Sequence, residues 1–458
     1  MTTLTSRNPT TGRIAHEVPA ATDEQVEAVL DRAENAFSDW AAAGFDERAR
    51  VLRAVAAQLR DNVDAYSALM TEEMGKPVTE ARGEVGKAAW AAEHYAEHAA
   101  AYLADEHIAS DATSSYVQYL PLGPVLGVLP WNAPFWLAFR FCAPTLMAGN
   151  TAIMKHDSNV PGCAAAIADA FAAVGAPEGV FQNLPVTTDQ VEGVIRDPRI
   201  RAVSFTGSDR AGSIVAATAA GEIKPAVLEL GGSDPCIVLA DADLPAAAET
   251  TALSRIINAG QSCIAAKRVI VERAVHDEFV ELLAEQLRGF KVGDPADPDT
   301  RVGPIAREDQ RKNLHEQVVA SIEAGATRVL GGEIPEGEGY FYPVTLLTDV
   351  TAEMTVCTEE TFGPVAVVLA ADDADHAVAI ANDTPYGLGA SVWTTAERGE
   401  AMARRIEAGQ VAVNGIVKTD PRLPSGGVKR SGYGRELGPH GIREFVNAQQ
   451  VWVGPARE

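Results

Sequence analysis

Several things are scarce in this chain. Cysteine is one, with five among 458 residues. Cys142, Cys163, Cys236, Cys263 and Cys357 are scattered, odd in number and never spaced as CxxC. That argues against a disulfide framework, gives no zinc signature, so that no metal is expected, and fits a reducing compartment. Basic charge is also short. Lys plus Arg number 38 against 63 Asp plus Glu, a formal net charge of −25. A field of that sign repels a phosphate backbone and argues against nucleic acid as the main partner, although a local basic pocket can still hold a small anion. No stretch suits a membrane. The most apolar one, residues 124–149, carries four prolines, Asn132 and Arg140, which fits buried core rather than a span. The opening Met1-Thr2-Thr3-Leu4-Thr5-Ser6-Arg7 has no apolar h-region, so no secretory leader and a cytoplasmic location are expected. Internal repeats and low-complexity tails are absent.

What remains is the profile of an ordinary soluble globular protein, 47% hydrophobic and 22% charged. At this length two or three subdomains are expected. Asn8-Pro9-Thr10-Thr11-Gly12 reads as a turn, and Thr22-Asp23-Glu24-Gln25 as a capped helix start. From there to about Leu103 the pattern is helical, and breaks at Ala43-Gly44-Phe45-Asp46 and Gly75-Lys76-Pro77 predict three helices. After Ser110, strand and helix patterns alternate. Strands are predicted at 115–120, 125–129, 151–154, 202–205, 226–230 and 235–239, with helices at 164–174, 211–220 and 246–258. A second series follows, with strands at 269–271, 365–369 and 390–393 and helices at 277–290, 374–382 and 396–408. Residues 331–342 read as a surface loop. Short apolar strands alternating with helices give an α/β fold class with a mostly parallel sheet covered on both faces.

The chain is organised around Asn258-Ala259-Gly260-Gln261-Ser262-Cys263-Ile264-Ala265-Ala266-Lys267-Arg268. It places a cysteine at a helix-to-strand junction, beside a glycine that allows close backbone approach. A lone cysteine is more often a small buried hydrophobe than a nucleophile, so its surroundings must decide. Six further stretches accompany it. They are Leu129-Pro130-Trp131-Asn132, Met154-Lys155-His156-Asp157-Ser158, Phe205-Thr206-Gly207-Ser208 and Leu228-Glu229-Leu230-Gly231-Gly232, then Glu359-Glu360-Thr361-Phe362-Gly363-Pro364 and Ser431-Gly432-Tyr433-Gly434-Arg435-Glu436. Glu229 stands 34 residues before Cys263, and Glu360 stands 97 after it. This ordered set resembles the aldehyde dehydrogenase superfamily essentially end to end. Lys155-His156 with Ser158, Ala265-Ala266-Lys267-Arg268, and Val417-Lys418-Thr419-Asp420-Pro421-Arg422-Leu423-Pro424 resemble the succinate-semialdehyde dehydrogenases most.

The resemblance implies a Rossmann-like cofactor domain (1–106 and 122–231), an α/β catalytic domain (232–438) and a small β oligomerisation flap (107–121 and 439–458). An extended edge strand needs pairing or protection, so a homodimer or homotetramer is expected. Cys263 would be the nucleophile, since a thiolate adds to an aldehyde and the resulting oxyanion expels hydride. Asn132 and the Cys263 backbone N–H would hold that oxyanion. Glu229 would be the base for thioester hydrolysis, which favours release of the free acid over acyl transfer. Cofactor contacts are implied for Trp131, Lys155, Ser158, Gly207, Ser208, Glu360 and Phe362, with Gly207-Ser208 at a helix start suited to a pyrophosphate. Ser158 stands where NAD-preferring relatives often carry glutamate, and the small neutral residue beside Lys155 makes NADP the expected cofactor. NAD stays possible, because Asp157 can fold back toward the ribose.

For the substrate, the resemblance points to Arg140 and Thr419 as anchors of a carboxylate tail. Arg140 sits in an apolar segment and needs a partner, which is either that carboxylate or a protein acid. Two departures bear on the aldehyde. Ile257 replaces an arginine that some relatives carry six residues before the nucleophile. Pro424-Ser425-Gly426-Gly427 replaces their Pro-Phe-Gly-Gly and is expected to widen the pocket rim, admitting an uncharged aliphatic or an aromatic aldehyde as the alternative to succinate semialdehyde. From other classes, a cofactor-independent thiol esterase using Cys263 and Glu229 leaves Lys155, Ser208 and Glu360 without a role. A non-catalytic protein keeping only the fold predicts loss of Cys263 or Glu229, and both are present.

Overall fold

The computed structural model describes residues 2–455. Met1 and residues 456–458, the ends of two of the expected domain ranges, lie outside the described residues. The chain opens on an antiparallel pair, Thr3–Arg7 with Ile14–Pro19. Helix Asp23–Ala42 follows, started by a capping box in which Thr22 and Gln25 satisfy each other's backbone N–H. The expected three helices are four, because the helical run after residue 44 is cut at Asn62. There the backbone leaves helical geometry, and the Asn62 amide donates to the Gln58 carbonyl at 2.9 Å. Phe45–Asp61, Val63–Met74 and Val78–Tyr102 pack around a core that includes Leu52, Val55, Leu59, Met70 and Tyr95. Full burial of such side chains contributes roughly 1.5–3 kcal/mol each.

Two sheets carry the rest. The first has six strands in the order Gly432–Tyr433, Ala226–Glu229, Ala202–Thr206, Pro124–Leu129, Thr151–His156 and Phe181–Asn183. All pairings are parallel except that of Gly432–Tyr433 with Ala226–Glu229. The chain starts in the middle at Pro124–Leu129, winds one way through Thr151–His156 and the other way through Ala202–Thr206. That reversal opens a crevice at the carboxyl ends of the strands, where ligands of doubly wound sheets bind. Asn132, Lys155, Gly207 and Glu229 all lie at or just past those ends.

The second sheet has seven strands and is parallel apart from its edge strand Thr327–Leu330. It includes Arg268–Glu272, which the Cys263 loop feeds directly. Gly432–Tyr433 belongs by sequence to the expected 232–438 segment, yet it pairs with Leu228 and Glu229 of the first sheet. The expected flap strands do pair: Val446–Val453 runs antiparallel to Ser114–Pro121, and Glu106–His107 adds a third strand. Helix Glu308–Glu323 was not anticipated. Only Leu314, Gln317, Val318 and Ser321 of it are buried, too narrow an apolar stripe to register as helical periodicity. Among the described residues no helix is long and apolar enough to cross a membrane, and no group of three or more His, Cys, Asp or Glu could hold a metal ion.

Candidate active site

The Cys263 loop is shaped by an unusual backbone. Asn258 and Ala259 have left-handed φ values of 55° and 52°, and Gly260 follows at 72°. Left-handed non-glycine residues persist only where their surroundings hold them, and the partners here are visible. The Asn258 N–H donates to Glu80 at 2.7 Å, and its side-chain amide donates to the Asn132 carbonyl at 2.9 Å. Gly260 tolerates no side chain, since a Cβ would lie 2.3 Å from the Gly363 oxygen. Behind the loop, the fully buried Lys267 donates to the carbonyls of Ser262 (2.9 Å) and Cys263 (2.7 Å). Cys263 is the one cysteine of five that is not buried.

Asn132 meets this loop from the other sheet. Its side-chain amide donates to the Gln261 carbonyl at 3.1 Å, leaving its second amide hydrogen free for another acceptor. Its backbone is fixed as well, because Lys76 donates to the Asn132 carbonyl at 2.9 Å and pairs with Glu84. Glu84 in turn accepts from the Phe135 and Trp136 N–H groups at the start of helix Pro134–Met147, where a carboxylate suits the helix terminus. Lys76 and Glu84 escaped the sequence reading, because their partners lie about fifty residues away in the chain.

Glu229 ends its strand, 3% exposed. Burial raises its carboxyl to about 7, against the pull of Arg140. Arg140 donates to it at 3.0 Å and also pairs with Glu436. Arg140 is thus engaged by two protein acids, one of the two kinds of partner expected of it, while its Nε makes no hydrogen bond and the residue still lines the cavity. The Gly231-Gly232 pair after Glu229 has a steric reason. A Cβ on Gly231 would lie 2.4 Å from Glu360 Oε2, and one on Gly232 2.8 Å from the Cys263 oxygen. Burial pushes the Cys263 thiol up to about 12, with Lys267 and then Arg140 pulling it down, so the resting side chain is a thiol.

One cavity of about 1450 Å³ joins these groups. Cys263, Asn132 and Glu229 line it, as do Trp131, Lys155, Gly207, Ser208, Glu360, Phe362, Arg140 and Thr419. Ser208 caps helix Asp209–Gly221 through a bond from the Ala211 N–H. Glu360 is held by Lys267 at 3.2 Å and by the Gly232 N–H at 3.1 Å. Trp131 and Phe362 meet edge to face at 5.8 Å. Ser158 is not brought in. A turn closed by the Asn159 N–H on the Asp157 side chain at 2.9 Å leaves Ser158 exposed, and Asp157 lines the wall instead. Ser425 and Gly426 are absent from the wall too. Ser425 pairs with Glu436 across an isolated bridge, and Gly426 packs on Gly409.

The family model for the aldehyde dehydrogenase family matches residues 1–451. The chain belongs to the aldehyde dehydrogenase family. It is an aldehyde-oxidising oxidoreductase of the mixed α/β fold that the resemblance implied. It is 49% identical over 453 residues to succinate-semialdehyde dehydrogenase [NADP(+)] 1 of Mycobacterium tuberculosis, covering 97% of this chain and 98% of that protein. It is 48% identical over 447 residues to a probable succinate-semialdehyde dehydrogenase [NADP(+)] of Synechocystis, covering 97% and 98%. Among solved structures, succinic semialdehyde dehydrogenase from Streptococcus pyogenes in complex with NADP+ superposes with a TM-score of 0.96 at 35% identity, covering 98% of this chain and all of that one. Family membership also sets aside the thiol esterase and the non-catalytic alternatives.

Proposed function

We propose that this aldehyde dehydrogenase oxidises succinate semialdehyde to succinate with NADP. The observation that carries the chemistry is the convergence of the one accessible cysteine, Asn132 and Glu229 on a single cavity. In this reading the Cys263 thiol gives up its proton to solvent, Sγ bonds to the aldehyde carbon, and the carbonyl electron pair moves onto oxygen. The free amide hydrogen of Asn132 and the Cys263 N–H stabilise that oxyanion, with about 3–4 kcal/mol for such a donor. The oxyanion re-forms the carbonyl as the carbon gives up its hydrogen as hydride, for which oxidised NADP, when bound, would supply the acceptor, and a thioester on Cys263 remains. Glu229 then takes a proton from water, the water oxygen bonds to the thioester carbon, and the carbon–sulfur bond breaks. Sulfur leaves as thiolate and regains a proton, and the free acid departs.

The residues fit a dinucleotide. The cavity far exceeds the needs of a four-carbon aldehyde, and the start of helix Asp209–Gly221 lies on its wall. Gly207 and Ser208 would face the pyrophosphate, Lys155 the adenosine ribose and its phosphate, and Glu360 the nicotinamide ribose, with Phe362 and Trp131 beside the ring. Support for the phosphorylated cofactor comes from Lys155 and from relatives named for NADP(+), with Asp157 opposing it. Support for the carboxylated aldehyde comes from the same relatives and from cations on the wall.

An aldehyde panel run with both cofactors tests the whole reading. Succinate semialdehyde with NADP should give the highest kcat/KM, at least tenfold above NAD and above butanal. A clear NAD preference rejects the cofactor half, and an equal or better rate on butanal or an aromatic aldehyde rejects the substrate half. The exposed edge of strand Val446–Val453, with Trp452 half exposed, supports a homodimer or homotetramer, which light scattering behind size exclusion measures. Five free cysteines support a cytoplasmic location, and the two-domain division with a flap is part of the same proposal.

A further inference from the structure

Besides Arg140, which pairs with Glu229 and Glu436, the cavity wall carries a cation with no carboxylate partner among the described residues. Lys87 lies on helix Val78–Tyr102 and lines the cavity with Glu80, Gly83 and Glu84. These four stand at i, i+3, i+4 and i+7, one face of the helix. The Lys87 ammonium donates to Thr419 Oγ1 at 2.7 Å and sits 4.1 Å above the Trp136 ring. Among the described residues it forms no salt bridge, because the neighbouring acids have other cations. Glu84 is paired with Lys76, Asp420 with Arg422 at 2.6 Å, and Glu229 and Glu436 with Arg140. An ammonium drawn out of bulk water with only a hydroxyl and a ring for company is incompletely compensated. Trp136, Leu137 and Ile257 supply apolar wall of the same cavity.

We propose that Lys87, with Thr419 beside it, is the specificity-determining anchor for the distal carboxylate of the aldehyde. This rests on the reading that the substrate is an aldehyde acid. The aldehyde carbon sits at Cys263, the short methylene chain crosses the apolar wall, and the carboxylate closes an ion pair on Lys87. The lysine adds a second cation to the wall that carries Arg140, and Ile257 becomes part of the apolar channel between the two ends.

Burial and then Arg140 lower the Lys87 ammonium to about 8, so it is mostly charged at neutral pH. Glu84 on its own helix and Asp420 on the facing segment raise it, and Lys418 lowers it.

The test compares kcat/KM for succinate semialdehyde with that for butanal in wild type, Lys87→Met and Lys87→Arg. The ratio of the two should fall about ten- to a hundredfold in Lys87→Met, mainly through KM of the semialdehyde, as expected for loss of a charged hydrogen bond. Lys87→Arg should keep most of it. The native enzyme gives a check that needs no variant: the same ratio should fall as pH rises through about 8, because the neutral amine no longer pairs with the tail. If wild type shows no preference for the semialdehyde, the substrate reading itself fails. If wild type prefers it and the ratio survives both Lys87→Met and pH 9, Lys87 is overturned while the substrate reading stands.

Discussion

Arg140 and Lys87 line the same cavity, and they keep opposite company. Arg140 is 4% exposed and held between two carboxylates, Glu229 and Glu436. Lys87 has one hydroxyl and one aromatic ring. The arginine looks like the better carboxylate receptor, since its planar fork suits that geometry. Its charge is already met by those two protein carboxylates. The lysine sits on a helix that reads as an ordinary polar face, yet it has been left without an anion. The type of cation therefore says less about its role than the tally of its partners does.

The largest break in this contrast comes from Arg140→Met. It leaves Glu229 and Glu436 buried without their cation, which should cost about 3–5 kcal/mol of stability, read as a lowered midpoint in urea. The surviving activity should drop by the same factor on succinate semialdehyde and on butanal. A loss confined to the semialdehyde would return Arg140 to the role of anchor and erase the contrast.

Next in size is Glu229→Gln, which removes the proposed base without changing volume. Steady-state turnover should fall on the order of a hundredfold for both aldehydes. The first turnover should survive as a burst of reduced cofactor seen by stopped-flow absorbance, because thioester hydrolysis comes after hydride transfer. The pH dependence sharpens the same point. The proposed base is competent only when deprotonated, and burial raises the Glu229 carboxyl to about 7. Hydrolysis-limited kcat should rise as pH increases through about 7 and then level off, falling about tenfold per unit below. That limb should vanish in Glu229→Gln. Arg140 is the leading influence holding the carboxyl down, so folded Arg140→Met should show the limb at higher pH.

The placement of the proposed reaction residues on one cavity was legible in the sequence. Cys263, Asn132 and Glu229 each sit in a local context, a glycine turn or a strand end, that is itself the structural cause of their position. Gly231-Gly232 shows why: the spacing after Glu229 is required by the close approach of Glu360 and Cys263. The supporting groups were not legible, because their partners are remote. Lys87 and Thr419 are separated by 332 residues, and Ser204 bonds Glu436 across 232. The Asp157–Ser158 question turned on a single side-chain bond to the Asn159 N–H, which no pattern reports. Arg140 was the instructive case. The rule that a buried arginine needs a partner was right, and the partner was a pair of glutamates that sequence order keeps 89 residues and more away.

The finest test of the contrast is Thr419→Val. Thr419 is buried at 7% exposure and its hydroxyl accepts from Lys87. Valine keeps the shape and removes the acceptor. A hydrogen bond of this kind contributes roughly 0.5–1.5 kcal/mol, so the semialdehyde-to-butanal ratio should fall about two- to tenfold. The double variant with Lys87→Met then separates two ways in which the hydroxyl can act. If it only holds the ammonium in place, Thr419→Val has nothing left to remove in the Lys87→Met background, and the two losses do not add. If it bonds the substrate carboxylate directly, the losses add within about 0.3–0.5 kcal/mol. The 2.7 Å bond to Lys87 uses the hydroxyl as acceptor and leaves its own proton available. Partial additivity is therefore the expected result, with the hydroxyl orienting the lysine and donating to the same carboxylate.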